Sequence, residues 1–225
     1  MSHRLQNYIN KAINYEEQGK LIHALQFYNK AFNIDKDNKY VIIRIVGIYE
    51  KLEKLEAVKE FMERLLKETQ DDDLLLFYAQ FLLRIKDYEK ALDNLILVSE
   101  REDPVKGFLM GICYYNLDDF EIAKLKFEEF IENNLNSELI TEAYLYAAKS
   151  NLELKYYEDA LIQLKESEKI SSINWELHFV FAKLYYMRGM FYHAKESIDK
   201  SLNLDDKNKL IQKWSKKIEN KLKTE

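Results

Sequence analysis

The chain has little of what turns and disulfides are made from: one proline, Pro104, five glycines and one cysteine, Cys113, among 225 residues. β-Sandwiches and α/β enzymes normally use more proline and glycine in their turns, so this scarcity favours helices joined by short connections. A single cysteine excludes an intrachain disulfide and a metal site built from several cysteines. We expect its thiol to be buried and structural.

The chain also lacks an excess of positive charge and any long apolar run. Its formal net charge is −5, which provides no global attraction for nucleic acid, so no nucleic-acid partner is expected. No stretch approaches the roughly 20 apolar residues of a membrane span. The first residues, MSHRLQNYINKAINYEEQGK, contain no apolar core of a secretory signal, and we expect a cytoplasmic protein.

A short pattern recurs along the chain. It has a small residue at its centre, a bulky residue three positions earlier and an apolar residue four positions later. The central residues, called markers below, are Ala24, Val58, Ala91, Ala123, Ala160 and Ala194. They are 34, 33, 32, 37 and 34 residues apart. Such regular spacing indicates a repeated structural unit and not one isolated amphipathic helix.

A second helical pattern precedes each marker. Nine residues earlier stands a mostly aromatic residue, and twelve residues earlier stand the mostly small Ala12, Val46, Ala79, Gly111, Ala148 and Ala182. Small residues let two helices approach closely, while aromatic side chains fill the space beside them. Each unit is therefore predicted to be two antiparallel helices joined by a short turn, with Gly19 and Gly189 in two of the turns.

This pattern resembles the tetratricopeptide repeat, a helix–turn–helix unit of about 34 residues. The first unit carries the resemblance best, through Tyr8, Ala12, Tyr15, Gly19, Ala24, Tyr28 and Ala31. In the sixth unit His178 stands at the family's tryptophan position, and we expect it to be a core histidine with its hydrogen bonds satisfied. The resemblance implies an all-α, right-handed solenoid of six antiparallel helix pairs.

The predicted repeats form a single domain at residues 5–38, 39–71, 72–103, 104–136, 137–173 and 174–206. A capping helix is predicted over residues 207–223, because the last unit of a solenoid needs its apolar face covered. We expect Trp214 to pack on the second helix of repeat six. We expect the lysines of this tail to form a face exposed to solvent. The alternative is that they contact an anionic membrane or an acidic partner.

No motif indicates catalysis. The chain has no glycine-rich phosphate loop, no HExxH and no CxxC, so we expect neither an enzyme nor a bound cofactor or metal. His23 and His193 each directly precede a marker, which favours a structural role in two equivalent positions.

The resemblance places the ligand on the concave face, which is lined by the first helices of successive repeats. The residues fifteen positions before the markers are apolar in all six units and either line this groove or are buried between neighbouring helices: Ile9, Ile43, Leu76, Phe108, Leu145 and Phe179. The predicted partner-binding strip consists of Leu76, Leu83, Phe108, Ile112, Tyr115, Leu145, Lys149 and Leu152.

These features predict a non-catalytic scaffold that binds another protein. The strip would hold an amphipathic helix or an apolar peptide segment of that partner in the concave groove. The alternative is a structural protein that self-assembles into a homo-oligomer through the apolar strip or the capping helix.

Overall fold

The computed structural model describes residues 2–69, 71–99 and 104–224. Within these ranges the chain is all-α, with thirteen helices and no strand, as the repeat pattern predicts. The helices are α1 His3–Glu17, α2 Leu21–Phe32, α3 Lys39–Lys51, α4 Leu55–Glu68, α5 Asp72–Arg84, α6 Tyr88–Leu97, α7 Pro104–Asn116, α8 Phe120–Asn133, α9 Ile140–Glu153, α10 Tyr157–Ile170, α11 Trp175–Met187, α12 Phe191–Leu204 and α13 Lys209–Leu222.

These helices belong to two compact units, Met1–Leu75 and Leu76–Glu225, whose boundary falls inside α5. Each predicted repeat contains one pair of consecutive helices, and α13 lies inside the predicted capping segment. The helix pairs follow the marker spacing, although α1 begins at His3, two residues before the first predicted repeat. The repeat bounds and the grouping of all six repeats into one domain stay predictions.

Small buried residues lie where the two helices of a repeat meet. All six markers are completely buried. In repeat five Ala148 of α9 and Ala160 of α10 belong to one core cluster, and in repeat six Ala182 and Ala194 do the same. Gly111 of α7 is an extreme case, since a Cβ atom placed there would lie only 2.8 Å from the ring of Phe127. Bulkier side chains at these positions would hold the helices apart.

The turn inside every repeat contains a residue in the left-handed conformation, five positions before the marker. These residues are Gly19, Glu53, Lys86, Asp118, Lys155 and Gly189, with φ between 57° and 73°. In all six turns the N–H of the next residue donates to the carbonyl five positions before it, at 2.8–2.9 Å. This bond is typical of a helix C-cap and stabilises the turn through the backbone. Glycine is therefore helpful but not required, and only two turns carry it.

Consecutive repeats of the second unit pack through opposite stripes of their first helices. Leu145, Ala148 and Leu152 of α9 form one buried cluster with α11 side chains that include Leu177, Phe181 and Leu184. The α9 residues stand fifteen, twelve and eight positions before the marker of repeat five. The α11 residues stand seventeen, thirteen and ten positions before the marker of repeat six. The apolar column fifteen before the markers is therefore largely interior. Ile9, Phe108, Leu145 and Phe179 are buried, whereas Ile43 is exposed.

Helix α13 occupies the place that the first helix of a further repeat would take. Ile211 and Ile218 join the core cluster of α11 and α12. The Trp214 ring packs edge-on to Phe179 and Tyr186 of α11, with centroids 5.9 and 5.5 Å away. These ring contacts lie on the first helix of repeat six, in addition to the expected second helix, since Trp214 also packs against the core cluster that contains Ala194 and Ile198 of α12. The cap reproduces the packing between repeats.

Two polar side chains have the structural roles predicted for them. His178 is buried, and its Nε2 lies 2.9 Å from the carbonyl oxygen of Ser172. Because a carbonyl can only accept, Nε2 carries the proton and donates it. Cys113 is a buried free thiol, and burial raises its pKa to about 12. His178 is thus a hydrogen-bonded core histidine and Cys113 a buried thiol, as predicted.

The contact at Gly111 predicts opposite effects for the same substitution in two helices. Gly47→Ala should stabilise the protein by about 0.5–1 kcal/mol, because a Cβ there meets nothing within 4 Å and alanine favours the helix. Gly111→Ala should destabilise it by about 1 kcal/mol or more, because the buried Phe127 ring has no room to move. Chemical denaturation of both variants measures the difference. Equal stabilisation by the two changes would show that α7 and α8 are not held at this distance.

The packing of α13 gives a second matched pair. Ile218→Ala should lower the free energy of unfolding by about 2–4 kcal/mol, because this side chain is fully buried against α11 and α12. Leu210→Ala in the same helix should change it by less than about 0.5 kcal/mol, because Leu210 is 48% exposed. Urea denaturation at equilibrium provides the comparison. An unchanged midpoint for Ile218→Ala would mean that α13 does not cap the array in solution.

Candidate functional site

The packing between repeats leaves one stripe of each first helix partly accessible in the second unit. It contains the positions eighteen, eleven and seven before each marker, which recur at helical spacing. In α9 Tyr146, fourteen positions before its marker, joins this stripe, whereas the equivalent Leu109 of α7 and Val180 of α11 are buried. Together with the neighbouring Tyr115, accessible or half-buried side chains of α7, α9 and α11 form what we call the first-helix face, which consists of Ile112, Tyr115, Tyr146, Lys149, Glu153, Glu176 and Lys183.

The aromatic part of this face centres on Tyr146 of α9. Its ring lies 5.6 Å from the ring of Tyr115 at nearly a right angle, and it stacks on the buried Phe127 at 5.3 Å. Burial raises the pKa of Tyr115 to about 12 and also raises the pKa of Tyr146. Both phenols are therefore neutral near pH 7 and keep their O–H groups as hydrogen-bond donors.

The ionic part of the face joins α9 to α11. Lys149 contacts Glu176 at 2.6 Å, and Lys183 contacts Glu153 at 3.2 Å. The Lys149 ammonium also lies 4.1 Å from the centre of the Tyr146 ring, a favourable cation–π geometry. Its side chain is only 11% exposed. Burial lowers the pKa of Lys149, and the nearby Glu176 carboxylate offsets this only in part.

Consecutive first helices of the first unit are joined in a similar way. The side chain of Glu16 in α1 is 8% exposed and receives Arg44 at 2.5 Å and Lys51 at 2.8 Å, both from α3. Burial alone would raise the pKa of Glu16, but the two cations more than offset it and keep the pKa below its ordinary value. In both units a carboxylate and a cation therefore link neighbouring first helices.

The predicted binding residues fall into two groups. Ile112, Tyr115 and Lys149 lie on the first-helix face, and Leu76 and Leu83 lie half-buried on α5. The remaining three are almost fully buried, so their apolar character serves packing and not an open surface: Phe108, Leu145 and Leu152. The predicted strip is therefore not one continuous apolar surface. A binding role for its accessible members stays a prediction.

Four members of the face are not among the predicted binding residues: Tyr146, Glu153, Glu176 and Lys183. The sequence held a usable signal for one ion pair. Lys149 stands eleven positions before its marker, and the oppositely charged Glu176 stands eighteen positions before the next marker. The pattern within one repeat cannot predict this contact, because its two residues belong to different repeats. A comparison of charges at the accessible positions of consecutive repeats predicts it.

In the ranges given above, no three histidine, cysteine, aspartate or glutamate side chains come together in a way that could hold a metal ion. Nor is any helix in those ranges long and apolar enough to cross a membrane.

The burial of Lys149 predicts unequal effects for the two halves of its ion pair. Glu176→Gln should destabilise the protein by about 1–3 kcal/mol, because it leaves a buried ammonium without its carboxylate. Lys149→Met should cost less, because it removes the buried charge and leaves Glu176, whose side chain is 39% exposed, in contact with water. Thermal unfolding near pH 7 compares them. A larger loss for Lys149→Met would contradict the role assigned to desolvation.

Comparison with known proteins agrees with this architecture. The tetratricopeptide repeat family model matches residues 5–38. The chain is also 25% identical over 232 residues to the TPR repeat-containing protein MJ1428 of Methanocaldococcus jannaschii. That alignment covers 90% of this chain and 39% of the relative. The chain therefore spans well under half the length of this relative.

Solved structures share the fold at low sequence identity. PilF of Pseudomonas aeruginosa is 17% identical with a TM-score of 0.71, and the match covers 95% of this chain and 97% of PilF. PilW, a type IV pilus biogenesis factor, is 14% identical with a TM-score of 0.72, covering 95% and 99%. The repeat spacing, the helix pairs and these matches agree with one another: the chain carries a tetratricopeptide repeat at residues 5–38 and has the fold of tetratricopeptide repeat proteins.

Proposed function

We propose that the chain is a non-catalytic scaffold that binds a segment of another protein on its first-helix face. Tetratricopeptide repeat folds generally mediate protein–protein interaction. The observation that carries the proposal is the placement of two half-buried tyrosines and Ile112 beside the Lys149–Glu176 pair on one face of α7, α9 and α11. Aromatic anchors beside charged groups are the composition in which binding energy concentrates at interfaces.

The chemistry of the face favours an amphipathic helix over a wholly apolar peptide. Ile112 and Tyr115 offer an apolar contact, and the tyrosine O–H groups can donate hydrogen bonds to it. The ion pairs between α9 and α11 can exchange partners with charged side chains of an incoming segment, which contributes orientation and specificity more than affinity. A purely apolar peptide would remove these ion pairs from water without offering them any hydrogen bond in return.

The cytoplasm is the compartment we propose for this binding. The only cysteine is a buried free thiol, so the fold draws no stability from a disulfide and suits a reducing environment.

A matched pair of charge insertions tests the face. Ile112→Arg places a cation among the tyrosines and should weaken binding to a partner identified by affinity capture by at least about tenfold. Ile162→Arg makes the same change on the second helix α10, where Ile162 is 59% exposed, and should leave affinity unchanged. Isothermal titration gives the affinities, and melting curves establish that both variants remain folded. Equal affinity of both folded variants for the partner would place its site elsewhere.

The same variants separate this proposal from self-assembly. Sedimentation of the purified chain should show a monomer, because the proposed occupant of the face is another protein. A dimer that persists on dilution and dissociates on Ile112→Arg would instead assign the face to self-association.

A further inference from the structure

Helix α13 is the basic end of an acidic chain. Seven lysines lie between Lys207 and Lys223, whereas only Glu219 and Glu225 are acidic in the last 19 residues. The chain as a whole has 34 basic and 39 acidic residues, so the positive charge of this helix is opposite in sign to the net charge of the chain. A local excess of one sign on a protein of the other sign attracts a partner to that place alone.

Four of these lysines form one stripe directly opposite the buried side of the helix. Ile211, Ser215 and Ile218 are buried on the inward side. Helical spacing of four, three and seven residues places the exposed lysines together on the outward side: Lys209, Lys213, Lys216 and Lys223. At 1.5 Å per residue this stripe is about 21 Å long.

The helix does not neutralise this stripe itself, although other helices of the chain do so. Ion pairs at i,i+3 or i,i+4 spacing occur on four second helices: Lys59–Glu56, Lys126–Glu129, Lys169–Glu166 and Lys195–Asp199. Within the described part of α13 there is no such pair. Its one described carboxylate, Glu219, contacts Lys195 of α12 at 3.3 Å. Neighbouring lysines such as Lys209 and Lys213 therefore repel each other at a cost in helix stability.

We infer that this stripe docks an acidic segment of a partner protein. A helix or extended peptide with carboxylates at matching spacing would supply the missing charges and relieve the repulsion along the whole stripe. This site is separate from the first-helix face, because its lysines point away from the α11 and α12 core against which α13 packs. The two sites can therefore be tested independently.

A protein segment fits this surface better than a membrane or a nucleic acid. The apolar side of α13 is occupied by its packing on α11 and α12, so little remains to insert into a bilayer. An extended polyanion would also approach the acidic remainder of the chain and be repelled by it. A narrow acidic segment can contact α13 alone, since charges beyond about 8 Å are screened at physiological salt.

A synthetic probe tests the inference on the full chain. The probe is a fluorescein-labelled, alanine-rich peptide of about 15 residues, long enough to span the stripe, with one glutamate for each of the four lysines. The control peptide carries glutamine at those positions. Fluorescence anisotropy at low salt should show binding of the glutamate peptide only. Binding should disappear at about 1 M salt, where the Debye length is about 3 Å.

Two triple variants locate the binding. Lys209, Lys213 and Lys216 all changed to glutamine should weaken binding of the glutamate peptide by about tenfold. The exposed Lys54, Lys67 and Lys165 all changed to glutamine alter the net charge equally and should have little effect. Equal losses in the two variants would overturn the inference, because they would show a general charge effect. So would failure of the peptide to bind while phosphatidylserine vesicles or single-stranded DNA bind through the same lysines.

Discussion

The close contact between the two helices of a repeat, most extensive in repeats one, four, five and six, is the constraint on which the rest of the structure depends. In repeats five and six an alanine of the first helix shares the buried core with the marker alanine of the second, and at Gly111 of repeat four not even a Cβ fits against the Phe127 ring. Once the two helices are held at this distance, the left-handed turn and its backbone hydrogen bond can close the pair. The contact explains why small residues recur at regular spacing while the turn residues vary.

This pairing also determines which parts of a first helix are available to a partner. One stripe of α9 packs on its own second helix and another packs on α11, so only the remaining stripe can meet a ligand. In the second unit that stripe carries tyrosines and cross-helix ion pairs and not an apolar surface. Helix α13 repeats the inward packing and has lysines on its outward side, which gives the chain two accessible surfaces of different chemistry.

The sequence predicted the elements well and the accessible surface less well, for a physical reason. Periodicity and the marker spacing depend on contacts inside one repeat, which every unit shows, so the helix ranges follow directly. Whether Phe108 or Leu145 is exposed depends on the next repeat. A first helix can pack on the second helix of its own repeat through one stripe and on the first helix of the next repeat through another. The Lys149–Glu176 contact likewise joins residues of different repeats. The sequence predicted a turn in every unit, but it did not identify a left-handed residue such as Lys155, because that conformation is held by backbone bonds and needs no glycine.

Site-specific photo-cross-linking tests most directly the claim that partners bind the first-helix face. A photoreactive phenylalanine analogue is placed at position 112 on α7 or at position 162 on α10, and each protein is irradiated with the captured partner. We expect a cross-linked product from position 112, whose attachment point in the partner lies in an amphipathic helical segment, and none from position 162. Cross-linking from position 162 with none from position 112 would contradict it.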